Sequence, residues 1–467
     1  MWGHLSSGNM TLFFRGNRTS RRCQEFSLHQ GLLGCDLNVL SIETLRQLLA
    51  KHTPRRYRPL VALLRSGLRH RVMIVADGED WQLTRDAINP DLQAGVVANE
   101  YVPVIRRVAE EAFSCLVGAS SGDMATARAF DIAVEPLMRT VTLSILGHLL
   151  FGHVLSLKEA ARMEGVLTAV TEFRTNGVLA WVNLGLGAVF GALRLGEYQP
   201  IIFPREQRQA AHQILGWIST KIGEAKRAGL RPPLLERLEA RFAAQRPARR
   251  TRSIVGEYAM MMIAGIETTA SALTLAIAEI ASDSTVCDQV VRESRQQPAP
   301  SSGVQSVASQ FPYLHCVFRE TLRRHTIVPT FLRETEEEYS IRGMDPATGS
   351  DQTVQVPPGT TLRYLPLQGH MRRSVWADPH RFDPNRFAQP LSSEQSKNYI
   401  PFGFGPQRCP GHAMATTEAI LILATFFRQF DLEHKAIDGI PMKRNIVFTN
   451  RPIGLTACVR PVRPAAL

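Results

Sequence analysis

The sequence lacks the closely spaced cysteine pairs of a disulfide-stabilised secreted domain. Its seven cysteines lie far apart along the chain and are odd in number. This pattern favours a reducing compartment, in which thiols stay free. We therefore expect an intracellular protein that is not secreted.

The beginning of the sequence lacks a long apolar run. Met10 to Phe14 form an apolar cluster that Arg15 ends at once, which is too short for a signal sequence or a membrane-spanning helix. We expect an irregular N-terminal segment over residues 1–39, without a clear membrane anchor. A single domain over residues 40–467 is expected to follow it.

No zinc-finger or RNA-recognition signature accompanies the positive charge of the chain. Lys and Arg number 54 against 42 Asp and Glu, which gives a formal net charge of +12. Arginine clusters suit an acidic protein partner or an anionic membrane surface, and a solvated basic face without a partner explains them as well. We expect no nucleic-acid binding.

Helical periodicity dominates what the sequence does contain. Apolar residues spaced for one helix face follow Ser41, whose hydroxyl is placed to cap a helix over residues 41–51. Residues 253–283 form the longest helical pattern and are apolar nearly all round. A helix of this kind must be buried, so the sequence predicts a mainly α-helical protein.

A glycine-rich loop over residues 401–411 delivers one cysteine, Cys409, just before a predicted helix over residues 412–427. Amide donors and the dipole at a helix N-terminus stabilise a thiolate. Gly405 and Gly411 permit close approach of a flat ligand to the backbone. The pattern therefore indicates a metal-ligating cysteine, and a turn with a buried structural cysteine is the alternative.

Three further patterns carry chemistry. In the apolar helix, Ala264-Gly265-Ile266-Glu267-Thr268 places a charge where burial is costly without a partner or a task. Trp81 and Arg85 share one helix face, as a carboxylate-binding pair or as a surface cation–π pair. Glu320 and Arg323 are spaced for an ion pair on one helix face, a pattern that is common on surfaces.

The cysteine loop resembles the haem-binding loop of the cytochrome P450 family, Phe-x-x-Gly-x-(basic)-x-Cys-x-Gly. Phe402, Gly405, Cys409 and Gly411 fit this pattern, and Gln407 stands where a basic residue is usual. The Trp81 pair resembles helix C of the same family, the Thr268 pattern its oxygen-binding helix and the Glu320 pair its helix K. The four patterns follow one another along the chain in the order found in the family. The resemblance covers roughly residues 40–462.

The resemblance implies a mainly α fold with a small β-rich lobe, the cytochrome P450 fold, holding haem b with Cys409 as the axial iron ligand. Thr268 and Glu267 are implied as the catalytic proton-delivering pair. The implied cofactor-binding and structural residues form a larger set: Trp81, Arg85, Ala264, Gly265, Arg333, His370, Phe402, Gly405, Arg408 and Gly411 for the haem, and Glu320, Arg323 and Arg386 for the supporting core.

The activity implied by the resemblance is insertion of one oxygen atom from O₂ into a small apolar molecule. Lipid-like, terpenoid or polyketide substrates of specialised (secondary) metabolism are expected. No flavin or nicotinamide fingerprint is present, so electrons from NAD(P)H are expected through a separate reductase or ferredoxin. Peroxide-driven or isomerase chemistry on the same fold, and a weakly catalytic haem-binding protein, are the alternatives.

The uncharged stretch Thr175 to Leu193 predicts an apolar lid over a substrate entrance. Such a lid also suits peripheral contact with a membrane, on the cytoplasmic face of the endoplasmic reticulum if the source is eukaryotic.

Overall fold

The structure is a computed structural model that describes residues 19–22, 26–31, 34–51, 55–68, 72–121, 129–171, 201, 203–298, 307–344, 348–433, 443–446 and 449–462. Its longer helices are α1 (Ile42–Lys51), α2 (Arg58–Leu68), α3 (Gly78–Ile88), α4 (Val102–Ser121), α5 (Val134–Phe151), α6 (Leu157–Thr171), α7 (Arg205–Arg227), α8 (Pro233–Arg241), α9 (Pro247–Ser282), α10 (Ser284–Gln296), α11 (Pro312–His325) and α12 (His412–Gln429). Short helical turns lie at Ala94–Val96, Val307–Gln310, Pro366–His370 and Ser393–Asn398.

The strands form small sheets beside the helices. They are β1 (Thr19–Arg22), β2 (Phe26–Gly31), β3 (Gly34–Val39), β4 (Arg55–Arg56), β5 (Phe130–Ala133), β6 (Phe331–Glu334), β7 (Tyr339–Met344), β8 (Asp351–Val356), β9 (Thr361–Tyr364), β10 (Phe430–Leu432), β11 (Lys443–Ile446), β12 (Asn450–Ile453) and β13 (Thr456–Pro461). The largest sheet has the order β1-β2-β3-β9-β6-β4. The predicted fold class, mainly α with a small β-rich part, is confirmed.

Helix α9 is the centre of the helical part. It begins at Pro247, where a proline suits the first helical turn, and it runs without a break past Gly265 to Ser282. Within the described ranges it is the one helix long and apolar enough to cross a membrane, and most of its apolar stretch is buried inside the protein. The prediction of a buried helix here is confirmed.

Helix α12 leads away from the cysteine loop into the core. Its middle turns are wholly buried, with Ile420, Leu423 and Phe426 at 0% exposure, and it packs along α4 and α9. The helix thus anchors the loop that precedes it, as the predicted helix over residues 412–427 implied. At the other end of the chain, the Ser41 hydroxyl accepts the Thr44 amide at 3.4 Å and caps α1 as predicted.

The expectation of an irregular segment over residues 1–39 is wrong for β1, β2 and β3. These strands pair with one another, and β3 pairs in parallel with β9, where Asp36 lies opposite Thr361. The partner of β3 in β9 is more than three hundred residues away and leaves no local signal, whereas β1, β2 and β3 pair with their neighbours along the chain. The predicted lid over residues 175–193 lies outside the described residues.

Candidate functional site

The loop before α12 folds tightly around the cysteine. Gly403 and Gly405 adopt positive φ values of 74° and 67°, a conformation that side chains disfavour. The Cys409 amide donates to the Phe402 carbonyl at 2.9 Å, and the Arg408 amide donates to the Gly405 carbonyl at 3.1 Å. The loop therefore presents the Cys409 thiol in one fixed place.

Cys409 is exposed to solvent on one side, and many protein atoms surround its other sides. These surroundings raise the pKa of Cys409, although the Gly411 amide and the guanidiniums of Arg85 and Arg408 act to lower it. The stabilisation expected from a helix N-terminus is thus outweighed by burial. Coordination of a metal ion deprotonates a thiol outright, so Cys409 is suited to a ligand that brings positive charge.

A bare ion does not suit the site. No group of three or more His, Cys, Asp or Glu within the described ranges is able to hold one. One cysteine alone fits an iron whose remaining ligands come from a porphyrin. A porphyrin also carries two propionates, so the charges beside the loop test the fit.

Arg85 joins α3 to the cysteine loop. Its guanidinium carbon lies 5.5 Å from the ring centre of Trp81, and its Nη2 donates to the Arg408 carbonyl at 2.8 Å. Both side chains are half-buried. The structure thus brings the predicted pair to the edge of the Cys409 site, where Arg85 can meet an anion.

Arg333, on β6, reaches the same loop from the sheet. It donates to the side-chain oxygen of Gln407, and its guanidinium carbon lies 4.1 Å from the ring centre of Phe331. Burial and the nearby charge of Arg56 lower the pKa of Arg333 to about 9. An arginine whose charge is disfavoured in this way is suited to bind an anion.

Arg56 is a site residue that the sequence did not reveal. It lies opposite Arg333 in the pairing of β4 with β6, and its Nε lies 3.8 Å from Asp77. Burial lowers the pKa of Arg56 to about 10, with Asp77 opposing and Arg85 adding to the shift. The sequence shows Arg56 only as one member of an arginine cluster. The register of β4 on β6 is what places this arginine, among those of the cluster, opposite Arg333.

The middle of α9 leaves one face open. Ala264 is exposed and Thr268 is half-buried, although the helix around them is largely buried. The Thr268 hydroxyl donates to the Ala264 carbonyl at 2.7 Å. The helix thus offers a hydroxyl and a small side chain on a face that a flat prosthetic group and its ligand can occupy.

Glu267 points into a buried ionic network instead of this open face. Its Oε1 accepts from Arg139 Nη1 and from the Thr171 hydroxyl, each at 2.7 Å. Arg139 Nε also donates to Glu164 at 2.7 Å and lies 3.5 Å from Glu135. Burial acts to lower the pKa of Arg139, but these carboxylates together raise it, so the guanidinium holds Glu267 in place.

Two residues that the resemblance assigns to the cofactor are packed against protein. A Cβ built on Gly265 would lie 3.5 Å from the side chain of Leu146 on α5, so the side of this glycine that a side chain would occupy faces a neighbouring helix. His370 is fully buried, its Nδ1 lies 2.8 Å from the Thr326 hydroxyl, and its Nε2 accepts the Ile400 amide. Both ring nitrogens are occupied, so His370 supports the fold.

Glu320 and Arg323 form a buried, bidentate ion pair. Arg323 bonds both carboxylate oxygens of Glu320, at 2.7 and 2.8 Å, and both side chains are fully buried. Arg386 Nε reaches Glu320 at 3.3 Å. Arg323 also donates to the carbonyls of His370 and Pro379. The three predicted members of the supporting core thus come together, and they tie α11 to the segment that precedes the cysteine loop.

Comparison with known proteins gives one consistent result. The family model for cytochrome P450 matches residues 37–458. Cytochrome P450 6a2 of Drosophila melanogaster is 23% identical over 387 residues, which cover 79% of this chain and 72% of the fly protein.

Mammalian relatives match over a shorter stretch. Cytochrome P450 3A12 of Canis lupus familiaris is 28% identical over 208 residues, which cover 43% of this chain and 39% of the dog protein. Thromboxane-A synthase of Sus scrofa is 28% identical over 195 residues, which cover 41% of this chain and 34% of the pig protein. Because the family match spans most of the chain and includes the loop of Cys409, the chain belongs to the cytochrome P450 family, haem-dependent monooxygenases that receive electrons from NAD(P)H through a redox partner.

Proposed function

We propose that Cys409 would ligate the iron of haem b and that the enzyme inserts one oxygen atom from O₂ into a small apolar molecule. The observation that carries this proposal is the single fixed thiol of Cys409 beside Arg85 and Arg333. When bound, the haem supplies the oxygen-activating chemistry. Residues 40–467 are proposed to act as one haem domain.

The neighbours of Cys409 hold the thiolate and its cofactor. The Gly411 amide donates to the sulfur, and a Cβ on Gly411 would lie only 4.0 Å from that sulfur. Phe402 packs at the edge of the core beside the loop, where it restricts water at the sulfur. The remaining proposed haem contacts are Trp81, Ala264, Gly405 and Arg408.

Thr268 and Glu267 are proposed to control protons at the reacting oxygen. The Thr268 hydroxyl lies on the open face of α9 and, within the described part of the chain, bonds only to its own helix, so it can turn toward a ligand. Glu267 lies beside it in sequence but is held by Arg139. Proton delivery through Glu267 therefore requires its carboxylate to leave Arg139.

The substrate is proposed to be apolar, with lipid-like, terpenoid or polyketide molecules of specialised metabolism as the class to test. Ala264 and the half-buried Ile263 supply apolar surface on α9, and Val328, 45% exposed, supplies it from the loop before β6. Burial of apolar surface is then the driving force for substrate binding.

The redox partner is proposed to be a separate reductase or ferredoxin with an acidic docking face, since the net charge of this chain is +12. We also propose peripheral contact with the cytoplasmic face of a membrane, because a net charge of +12 favours an anionic surface.

Turnover experiments test the activity. The purified protein is given an apolar substrate panel with a reductase, NADPH and O₂, and products are identified by mass spectrometry. We expect a product one oxygen heavier, with the oxygen derived from labelled O₂, and a marked loss of coupled product in Thr268→Ala. Product formed only with added peroxide, or rearrangement without incorporated O₂, would replace the monooxygenase proposal with the corresponding alternative.

A further inference from the structure

A cavity lies between helices α2, α7 and α9, near the N-terminal end of α9. Its volume is about 270 Å³, close to the lower end of the range found for small-molecule sites. Arg252 on its rim and Thr268 belong to the same helix, and at 1.5 Å per residue they are roughly 24 Å apart along its axis. The cavity is therefore separate from the site around Thr268 and Cys409.

The floor of this cavity is apolar. Leu68 on α2 and Val255 on α9 are 6% and 7% exposed, and Leu215 on α7 packs partly buried against the same core. The three helices that supply these side chains contact one another. An alkyl chain that lies on this floor would leave water and gain apolar contact.

The rim of the cavity carries hydrogen-bond donors and a positive charge. Ser219 on α7 and Thr251 and Arg252 on α9 line it and are exposed. Among the residues that the structure describes, these three side chains form no hydrogen bond or ion pair. Two hydroxyls and one guanidinium can therefore all donate to a ligand.

The charge around the cavity is positive. No Asp or Glu occurs in the parts of the three helices that surround it, namely residues 58–68, 207–223 and 247–256. Arg65 and Arg249 lie within one helical turn of lining residues and add positive charge. The next acid along α9, Glu257, is buried and accepts a backbone amide at 3.1 Å, and Glu224 on α7 pairs with Lys221 at 3.0 Å. The rim therefore favours an anion over a cation.

Gly216 keeps the cavity open on the side of α7. It lies in the interior of this helix, where glycine costs about 1 kcal/mol relative to alanine. A Cβ built on Gly216 would meet no atom within 4 Å, and its φ is not positive. Neither close packing nor backbone conformation therefore requires a glycine here. A large side chain at this position would occupy space in the cavity that Gly216 lines.

We propose that this cavity binds a medium-chain carboxylic acid. Its carboxylate accepts hydrogen bonds from Arg252, Ser219 and Thr251, and its alkyl chain lies over Leu68 and Val255. The apolar floor accounts for the chain, and the positive rim without carboxylates accounts for the acidic head group. The site is additional to the haem pocket and goes beyond the proposed monooxygenase activity.

Equilibrium dialysis of the haem-loaded protein with radiolabelled decanoate or decanol tests the charge at the rim. Arg252→Gln should lower the affinity for decanoate about tenfold, since a charge-assisted hydrogen bond is removed. Its affinity for decanol should not change, which a misfolded variant would not show. Arg252→Lys and the control Arg292→Gln, exposed on the distant α10, should both bind decanoate nearly as the wild type does.

Gly216 provides the steric test. Gly216→Phe should abolish the binding of both decanoate and decanol at this site, whereas Gly216→Ala should retain it. Equal decanoate affinity in the wild type and Arg252→Gln, or unchanged binding in Gly216→Phe, overturns the proposal.

Two further readouts separate other sources of binding. The Soret band is recorded in the same samples, because decanoate in the haem pocket would shift it. Decanoate binding that shifts this band and that none of the variants changes would belong to the haem pocket and overturn the proposal. Sedimentation with phosphatidylglycerol vesicles is the second readout. Binding to these vesicles without binding of free decanoate would make the rim a membrane contact and equally overturn the proposal.

Discussion

Arg323 and Arg333 are both buried arginines, yet their surroundings differ in kind. Arg323 bonds both oxygens of Glu320 and several carbonyls, and none of its surface is exposed. Arg333 bonds an amide oxygen and its neighbour's carbonyl and lies opposite another arginine. Its lowered pKa expresses that difference.

The comparison separates two uses of a buried charge. A guanidinium whose bonds are completed by the protein gains little from a ligand, and breaking its pair leaves a costly buried charge. A guanidinium without a matching carboxylate is costly until an anion arrives. Arg323 therefore belongs to the fold, whereas Arg333 is proposed to bind the cofactor.

The largest effect is expected where the ion pair is complete. Arg323→Met should leave the buried Glu320 carboxylate with Arg386 and the Asp383 amide against it and lower the free energy of unfolding by about 4 kcal/mol. Urea denaturation followed by circular dichroism measures this. Arg292→Met on exposed α10 is the control, and a loss below about 1 kcal/mol for Arg323→Met would remove the contrast with Arg333.

A somewhat smaller loss is expected at Arg139, whose network contains three carboxylates. Arg139→Met should lower the free energy of unfolding by about 3 kcal/mol, because Glu267 and its neighbours lose their shared counter-charge. Arg162→Met, exposed on α6, is the matched control. Equal stability of the two variants would show that Glu267 is not held as the structure indicates.

Glu418 extends the comparison to a buried acid on α12. Burial raises its pKa to about 8, with the nearby side chain of Thr142 acting to lower it. The folded state therefore keeps a proton that the unfolded state has already lost, so this contribution to stability is full below about pH 4.5 and declines as the pH rises to about 8.

Glu418→Gln removes that contribution to the pH dependence. Across pH 5 to 8, the wild type should lose on the order of 3 kcal/mol relative to the variant. Urea denaturation at several pH values gives the two curves. Parallel curves would mean that Glu418 is not a protonated core residue.

The smallest effect is expected at Gly265. A Cβ there would make an ordinary contact with Leu146 at 3.5 Å, and alanine favours a helix over glycine by about 1 kcal/mol. Gly265→Ala should thus leave stability equal or raised by up to about 1 kcal/mol, with haem retention unchanged. Rapid haem loss in this variant would show that Gly265 lies against the haem.

Local patterns in the sequence were sufficient to predict the cysteine loop, the accessible hydroxyl of Thr268 and the Glu320–Arg323 ion pair. Each of these depends on residues a few positions apart, and a helix or a tight turn converts that spacing directly into proximity. The buried helix around Thr268 was predictable for the same reason, since an apolar pattern all round a helix requires burial.

The remaining features depend on register and packing between distant segments. The pairing of Arg56 with Arg333 follows from the register of two short strands. The positions of His370 and Gly265 follow from what lies against them, namely Thr326 and Leu146. A single sequence contains no local signal for such neighbours, so a family pattern alone assigned both residues to the cofactor.

The most direct test of the central claim is the visible spectrum of the reduced protein under carbon monoxide. A haem bound through the Cys409 thiolate predicts a strongly red-shifted Soret band that Cys409→Ala abolishes. A spectrum typical of a haem with a neutral ligand, or no haem in a correctly folded wild type, would contradict the assignment of Cys409 as the iron ligand.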